Sequence, residues 1–108
     1  MAIITVPFPK CLKEARLNAG ISQKKLGILA GIDEFSSSAR MNQYEKGKHT
    51  PDFLTLKKIA QILSVPIAYF YAEDNILTEL LFLYEKIDIE SRKQILQFCK
   101  ISFNNQPK

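Results

Sequence analysis

The run from Arg40 to His49, Arg-Met-Asn-Gln-Tyr-Glu-Lys-Gly-Lys-His, holds the side chains in this sequence best suited to recognising a partner. An asparagine or glutamine amide can bond adenine N6 and N7 together, and an arginine can do the same to guanine O6 and N7. Asn42, Gln43 and Arg40 are of those types, and Lys46, Lys48 and His49 follow as a basic turn suited to phosphate. Taken alone, exposed Asn and Gln are more often just solvated, so residue type by itself decides nothing. Enzymatic chemistry has less to work with. There is no nucleophile beside a base, no metal-ligand spacing, no Gly-rich phosphate loop and a single histidine, His49. No catalytic residue, metal or cofactor is expected.

The elements that must position these residues read as helices. Pro7 and Pro9 are expected to hold an N-terminal arm extended over residues 1–9 and to start a first helix near Lys10. That helix carries Leu12, Ala15, Arg16 and Ala19 on one face and stops at Gly20. Ser22 caps a second short helix, Gln23 to Ala30, which Gly31 ends. After the polar stretch Asp33 to Ser38, a third helix runs to about Glu45, with Met41 and Tyr44 on its core side and Gly47 at its end. Thr50-Pro51-Asp52 starts a fourth helix that buries Phe53, Leu56, Ile59, Ala60 and Leu63. Pro66 opens a short fifth helix with Ile67, Phe70 and Tyr71. Asp74 or Asn75 caps a sixth helix to about Ile87, and Asp88 a seventh to about Phe103.

Short helix, glycine, short helix, glycine, basic turn is the layout of a helix-turn-helix. The residues Arg16, Gly20-Ile21-Ser22-Gln23, Leu26, Ala30-Gly31-Ile32 and Met41-Asn42-Gln43-Tyr44-Glu45-Lys46-Gly47 resemble the lambdoid phage repressor and Cro-like (XRE-type) family. So do Pro51, Leu56, Ile59-Ala60, Leu63, Val65-Pro66 and Phe70, and the match covers about residues 10–72. The resemblance implies an all-α, five-helix repressor-like DNA-binding bundle that docks on double-stranded operator DNA, usually as a dimer. Carried over by position, it makes Gln23 a phosphate ligand and puts Ser38, Ala39, Asn42 and Gln43 toward the bases, with Arg40 beside them. It also makes Arg16 and Glu45 a structural ion pair clamping the first helix to the third. Loss of Glu45 is then expected to lower stability, and DNA binding with it.

One departure bears on that carry-over, because Gly31 to Glu45 is about four residues longer than the family's usual spacing. Either residues 33–36 lengthen the turn and Ser37 caps the third helix, or Asp33 caps it and the helix gains about one turn. The first alternative keeps the carry-over intact and is preferred. The second brings Ser36 and Ser37 nearest the bases.

Residues 73–108 form a C-terminal helical hairpin too apolar to pack wholly on so small a bundle, and are read as a dimerisation element. Charge divides the same way. Residues 1–72 carry ten Lys and Arg against five Asp and Glu, and residues 73–108 carry five against six. A basic front facing a polyanion fits a transcriptional repressor on a palindromic operator. The rival reading is an antitoxin-like module whose C-terminal helices bind a partner protein while the front autoregulates its operon. A membrane span is not expected, since no run nears 18 apolar residues. The first apolar stretch has no positive charge before it, so a secretory signal is not expected and the cytoplasm is. Cys11 and Cys99 are accordingly read as reduced, buried thiols.

Overall fold

The computed structural model describes residues 6–107. Its helices are α1 (Phe8–Asn18), α2 (Gln23–Leu29), α3 (Glu34–Glu45), α4 (Phe53–Leu63), a 3-10 helix (Ile67–Tyr71), α5 (Asn75–Tyr84) and α6 (Ile89–Asn104). Side-chain oxygens cap five of the α-helices: Ser22, Asp33, Asp52, Asp74 and Asp88 each accept a backbone N–H from the first turn. One cap of this kind typically contributes ~1 kcal/mol.

Phe8, Leu12 and Ala15 of α1, Leu26 of α2, Met41 and Tyr44 of α3, Leu56, Ile59 and Leu63 of α4, and Phe70 converge in one core. The 3-10 helix closes it from below. Phe70 stacks at 5.6 Å on Phe8, and Tyr69 reaches Phe82 of α5 at 6.1 Å.

Several boundaries differ from the sequence reading. The first helix starts at Phe8, with Pro7 as its cap and Pro9 in its first turn, where a missing N–H costs nothing. Phe8 and Pro9 are therefore helical, not part of an extended arm, and residues 1–5 of that arm lie outside the described residues. The fourth helix is capped by Asp52, not Thr50, and Pro51 precedes it as a buried residue. Phe53 is the first residue of this helix and 64% exposed, not in the core: it lies in phase with Leu56 but at the helix tip. The sixth helix ends at Tyr84, three residues early, and Cys99 is exposed while Cys11 is buried.

The largest correction concerns the third helix. It begins at Glu34 with Asp33 as cap, so residues 33–36 extend the helix and not the turn. Ser37 is no cap. It lies in the second turn, 0% exposed, and its hydroxyl donates to the carbonyls of Ile32 (3.0 Å) and Asp33 (2.7 Å). A buried hydroxyl needs such partners, and bonding back to the preceding turn is the local way to find them. Ser37 is thereby also excluded from the bases.

Helix α5 rests on the 3-10 helix, and a short turn leads from it to α6. The Lys86 ammonium ties that turn down, donating to the Ser64 carbonyl (3.0 Å) at the end of α4 and the Phe82 carbonyl (3.1 Å). Arg92 of α6 donates to the Tyr84 carbonyl at 2.9 Å. Neither α5 nor α6 buries a single residue, and an apolar groove between them is lined by Leu80, Leu81, Tyr84, Ile89, Leu96 and Cys99. Among the described residues, no helix is long and apolar enough to cross a membrane.

Candidate nucleic-acid interface

The site is built on the crossing of α2 and α3. Gly27, inside α2, lets the helices approach closely: a Cβ there would lie 2.8 Å from Ser37 Cβ and 3.0 Å from the Ser37 carbonyl oxygen. A mid-helix glycine costs about 1 kcal/mol against alanine, so its use here marks a close approach. Sequence reasoning passed over Gly27, although a glycine interrupting a helical pattern was the available signal.

With Ser37, Met41 and Tyr44 turned inward, helical geometry fixes the outward face. Phe35, Ala39, Asn42 and Gln43 follow one another at i, i+4, i+7 and i+8, a stripe away from the core. Ser38 and Arg40 flank it, both exposed. Arg40 and Gln43 also border a small polar depression with His49 and Thr50. The turn after α3 folds back, the Lys48 N–H donating to the Gln43 carbonyl at 2.9 Å, so exposed Lys46, Lys48 and His49 stand beside the end of the stripe.

A buried carboxylate holds this face in place. Arg16 donates to Glu45 through Nε (2.6 Å) and Nη2 (3.1 Å), and its Nη1 donates to the Ile21 carbonyl (3.0 Å). Arg16 and Glu45 side chains are 12% and 3% exposed, and bidentate guanidinium–carboxylate geometry is the strongest form of such a pair. Gln23 joins them, its amide donating to Glu45 Oε1 at 3.2 Å and to Asn42 Oδ1 at 3.3 Å. Three helices meet in one network.

Gln23 is thus brought to Asn42 and Glu45, and both amide hydrogens are taken by these two acceptors. A phosphate contact by this side chain requires one of those bonds to be exchanged. The lengthened helix also adds a residue that sequence reasoning missed. Phe35 was grouped with a polar stretch, yet it stands on the outward stripe 95% exposed. Its spacing of four from Ala39 was the signal, legible only once the helix start is known. Among the described residues no group of three or more His, Cys, Asp or Glu could hold a metal.

The helix-turn-helix family model matches residues 12–70, more than half of the chain. Among curated relatives, an uncharacterized HTH-type transcriptional regulator of Sinorhizobium medicae (strain WSM419) is 36% identical over 58 residues. A counterpart from Rhizobium meliloti (strain 1021) matches to the same extent. The aligned part is 54% of this chain and 39% of each relative's length, so the likeness spans about two-fifths of those proteins. Among solved structures, the transcriptional regulator BswR superposes with a TM-score of 0.80 at 44% identity, over 86% of this chain and 92% of that one. The likeness to BswR therefore extends beyond the bundle into the C-terminal helices. The chain belongs to the helix-turn-helix family, whose XRE-type members are DNA-binding transcriptional regulators and not enzymes.

Proposed function

We propose that this protein is a cytoplasmic transcriptional repressor that binds a palindromic DNA operator as a homodimer. The observation that carries the reading is the outward face of α3, where Asn42 is exposed and Gln43 half-exposed while Glu45 beneath them is locked to Arg16. The helix lengthens at its start, so positions counted back from Glu45 keep their places: Asn42 and Gln43 read adenine edges, Arg40 reads guanine, and Ser38 and Ala39 make the shorter contacts. Lys46, Lys48 and His49 neutralise phosphates at the end of the helix, and Gln23 supports that contact once its bonds to α3 rearrange. Residues 73–108 serve as the dimerisation element. Ten of the eighteen exposed large apolar side chains among the described residues lie on α5 and α6, Phe98 and Phe103 among them. An apolar surface so concentrated is the mark of an interface.

The test is selection from a random duplex DNA pool at roughly 150 mM salt, where weak non-specific phosphate binding is suppressed. An enriched palindrome with half-sites about one DNA turn, roughly 34 Å, apart supports the dimeric reader. Failure to enrich any sequence refutes it. With about six phosphate contacts per dimer, log K should fall against log salt with a slope near −5.

The uncovered faces of α5 and α6 also suit a second reading, an antitoxin-like module that holds a partner protein there. A stable homodimer by light scattering, with no second protein retained on purification from the source cell, excludes it.

A further inference from the structure

We propose that Phe35 is a specificity-determining residue that packs its ring on the 5-methyl group of a thymine in the major groove. The inference rests on the DNA-reading role of α3 and extends it by one helical turn.

Phe35 stands at the second position of α3, and its ring is 95% exposed, the highest value among the large apolar side chains described. The turn that carries it is firmly built: Asp33 accepts the Phe35 N–H at 3.1 Å, and Ser37 is locked into the α2 crossing behind it. Of the two acids at this tip, Asp33 is the cap, and Glu34 is a 67% exposed side chain 3.9 Å from Lys24 of α2. Beside that carboxylate the tip presents an apolar ring.

Phe35 shares its stripe with Ala39, Asn42 and Gln43. Eight residues separate Phe35 from Gln43, roughly 12 Å along the helix. That is about three to four base-pair steps of roughly 3.4 Å. One edge of a half-site is then read by an amide and the other by a ring. The thymine methyl is the apolar group that the major groove presents, and apolar side chains, Phe included, recognise it by contact.

Deoxyuridine differs from thymidine by that methyl alone, which gives a direct test. Random-core duplex pools made with thymidine or with deoxyuridine are each selected with the wild-type protein, Phe35→Ala, Phe35→Leu and Gln43→Ala. The wild type should enrich a thymine on the thymidine pool, three to four pairs from the position whose preference Gln43→Ala relaxes. The preference should vanish on the deoxyuridine pool and with Phe35→Ala, while Phe35→Leu keeps most of it. Burial of one methyl-sized group corresponds to about a fourfold change in affinity per half-site. Phe35→Ala should melt with the wild type, because the residue is 95% exposed. A motif that is the same on both pools, or an equal loss by Phe35→Ala on both, overturns the assignment and leaves DNA reading intact. No motif for any protein on either pool refutes the DNA-reading role itself, and Phe35 with it.

Discussion

Replacing Glu45 with alanine should destabilise the whole bundle, by an amount the structure allows to be worked out. The Glu45 side chain is 3% exposed and takes three donors, two from Arg16 and one from Gln23. Removing one partner of a buried ion pair typically costs ~3–5 kcal/mol, because the other charge is stranded. The Arg16 guanidinium keeps its bond to the Ile21 carbonyl, which places the loss near the lower end, about 3 kcal/mol. For a domain of this size that is a fall in Tm of roughly 10–20 °C. Thermal melts followed by circular dichroism at pH 7 would measure it. A pair of controls isolates the cause. Glu45→Gln keeps the shape and one acceptor and should lose less. Arg16→Met with Glu45→Leu removes both charges and should recover much of the loss, since apolar replacement of a buried pair is often neutral. DNA binding by Glu45→Ala, measured at a temperature where it is still folded, should also weaken, because Gln23 loses an anchor and Asn42 its fixed partner. A Tm within about 2 °C of wild type would refute the buried-charge reasoning, as would a double variant whose loss equals the sum of the singles.

Three further outcomes are expected. Gly27→Ala should destabilise by about 1–3 kcal/mol through overpacking against the Ser37 backbone, reversing the sign of an ordinary mid-helix Gly→Ala change; a raised Tm would contradict it. Lys48→Ala should weaken binding to all duplexes alike and flatten the salt slope, whereas Gln43→Ala should relax preference at one base pair per half-site, both read in the same selection. Cys99 should react with a thiol reagent in the folded protein at low concentration and slow as the protein concentration rises and α6 is covered. Cys11 should react only on unfolding, since burial, and then Glu14 nearby, push its thiol pKa up.

The caps and stops of this fold were legible because they depend on neighbouring residues. Ser22, Asp74 and Asp88 satisfy the first turns that follow them, and Gly31 takes the positive φ that ends α2. Arg16 and Glu45, 29 residues apart, were reached through family resemblance and not through any local signal. The start of α3 was misread because three consecutive serines suit a cap and a helix interior equally well. What decides between them is the space beneath α2, which only a side chain as small as Ser37 can fill opposite Gly27. Phe53 has the type and spacing of a core residue, but as the first residue of α4 it stands at the helix tip, where periodicity does not tell whether anything packs over it. Phe35 followed from the α3 error, since a residue placed in a turn has no helical face.

The bond from Lys86 to the Ser64 carbonyl gives the molecule a pivot. Sixteen residues of α6 project from the turn it pins, roughly 24 Å of rod at 1.5 Å per residue. On a rod of that length, a tilt of about 10° at the base swings the far end by roughly 4 Å, more than one base-pair step. In a dimer joined along α6, this lysine, with Arg92 holding the base of α6 to the same turn, would set the gauge between the two recognition helices, and with it how much variation in half-site spacing the protein tolerates.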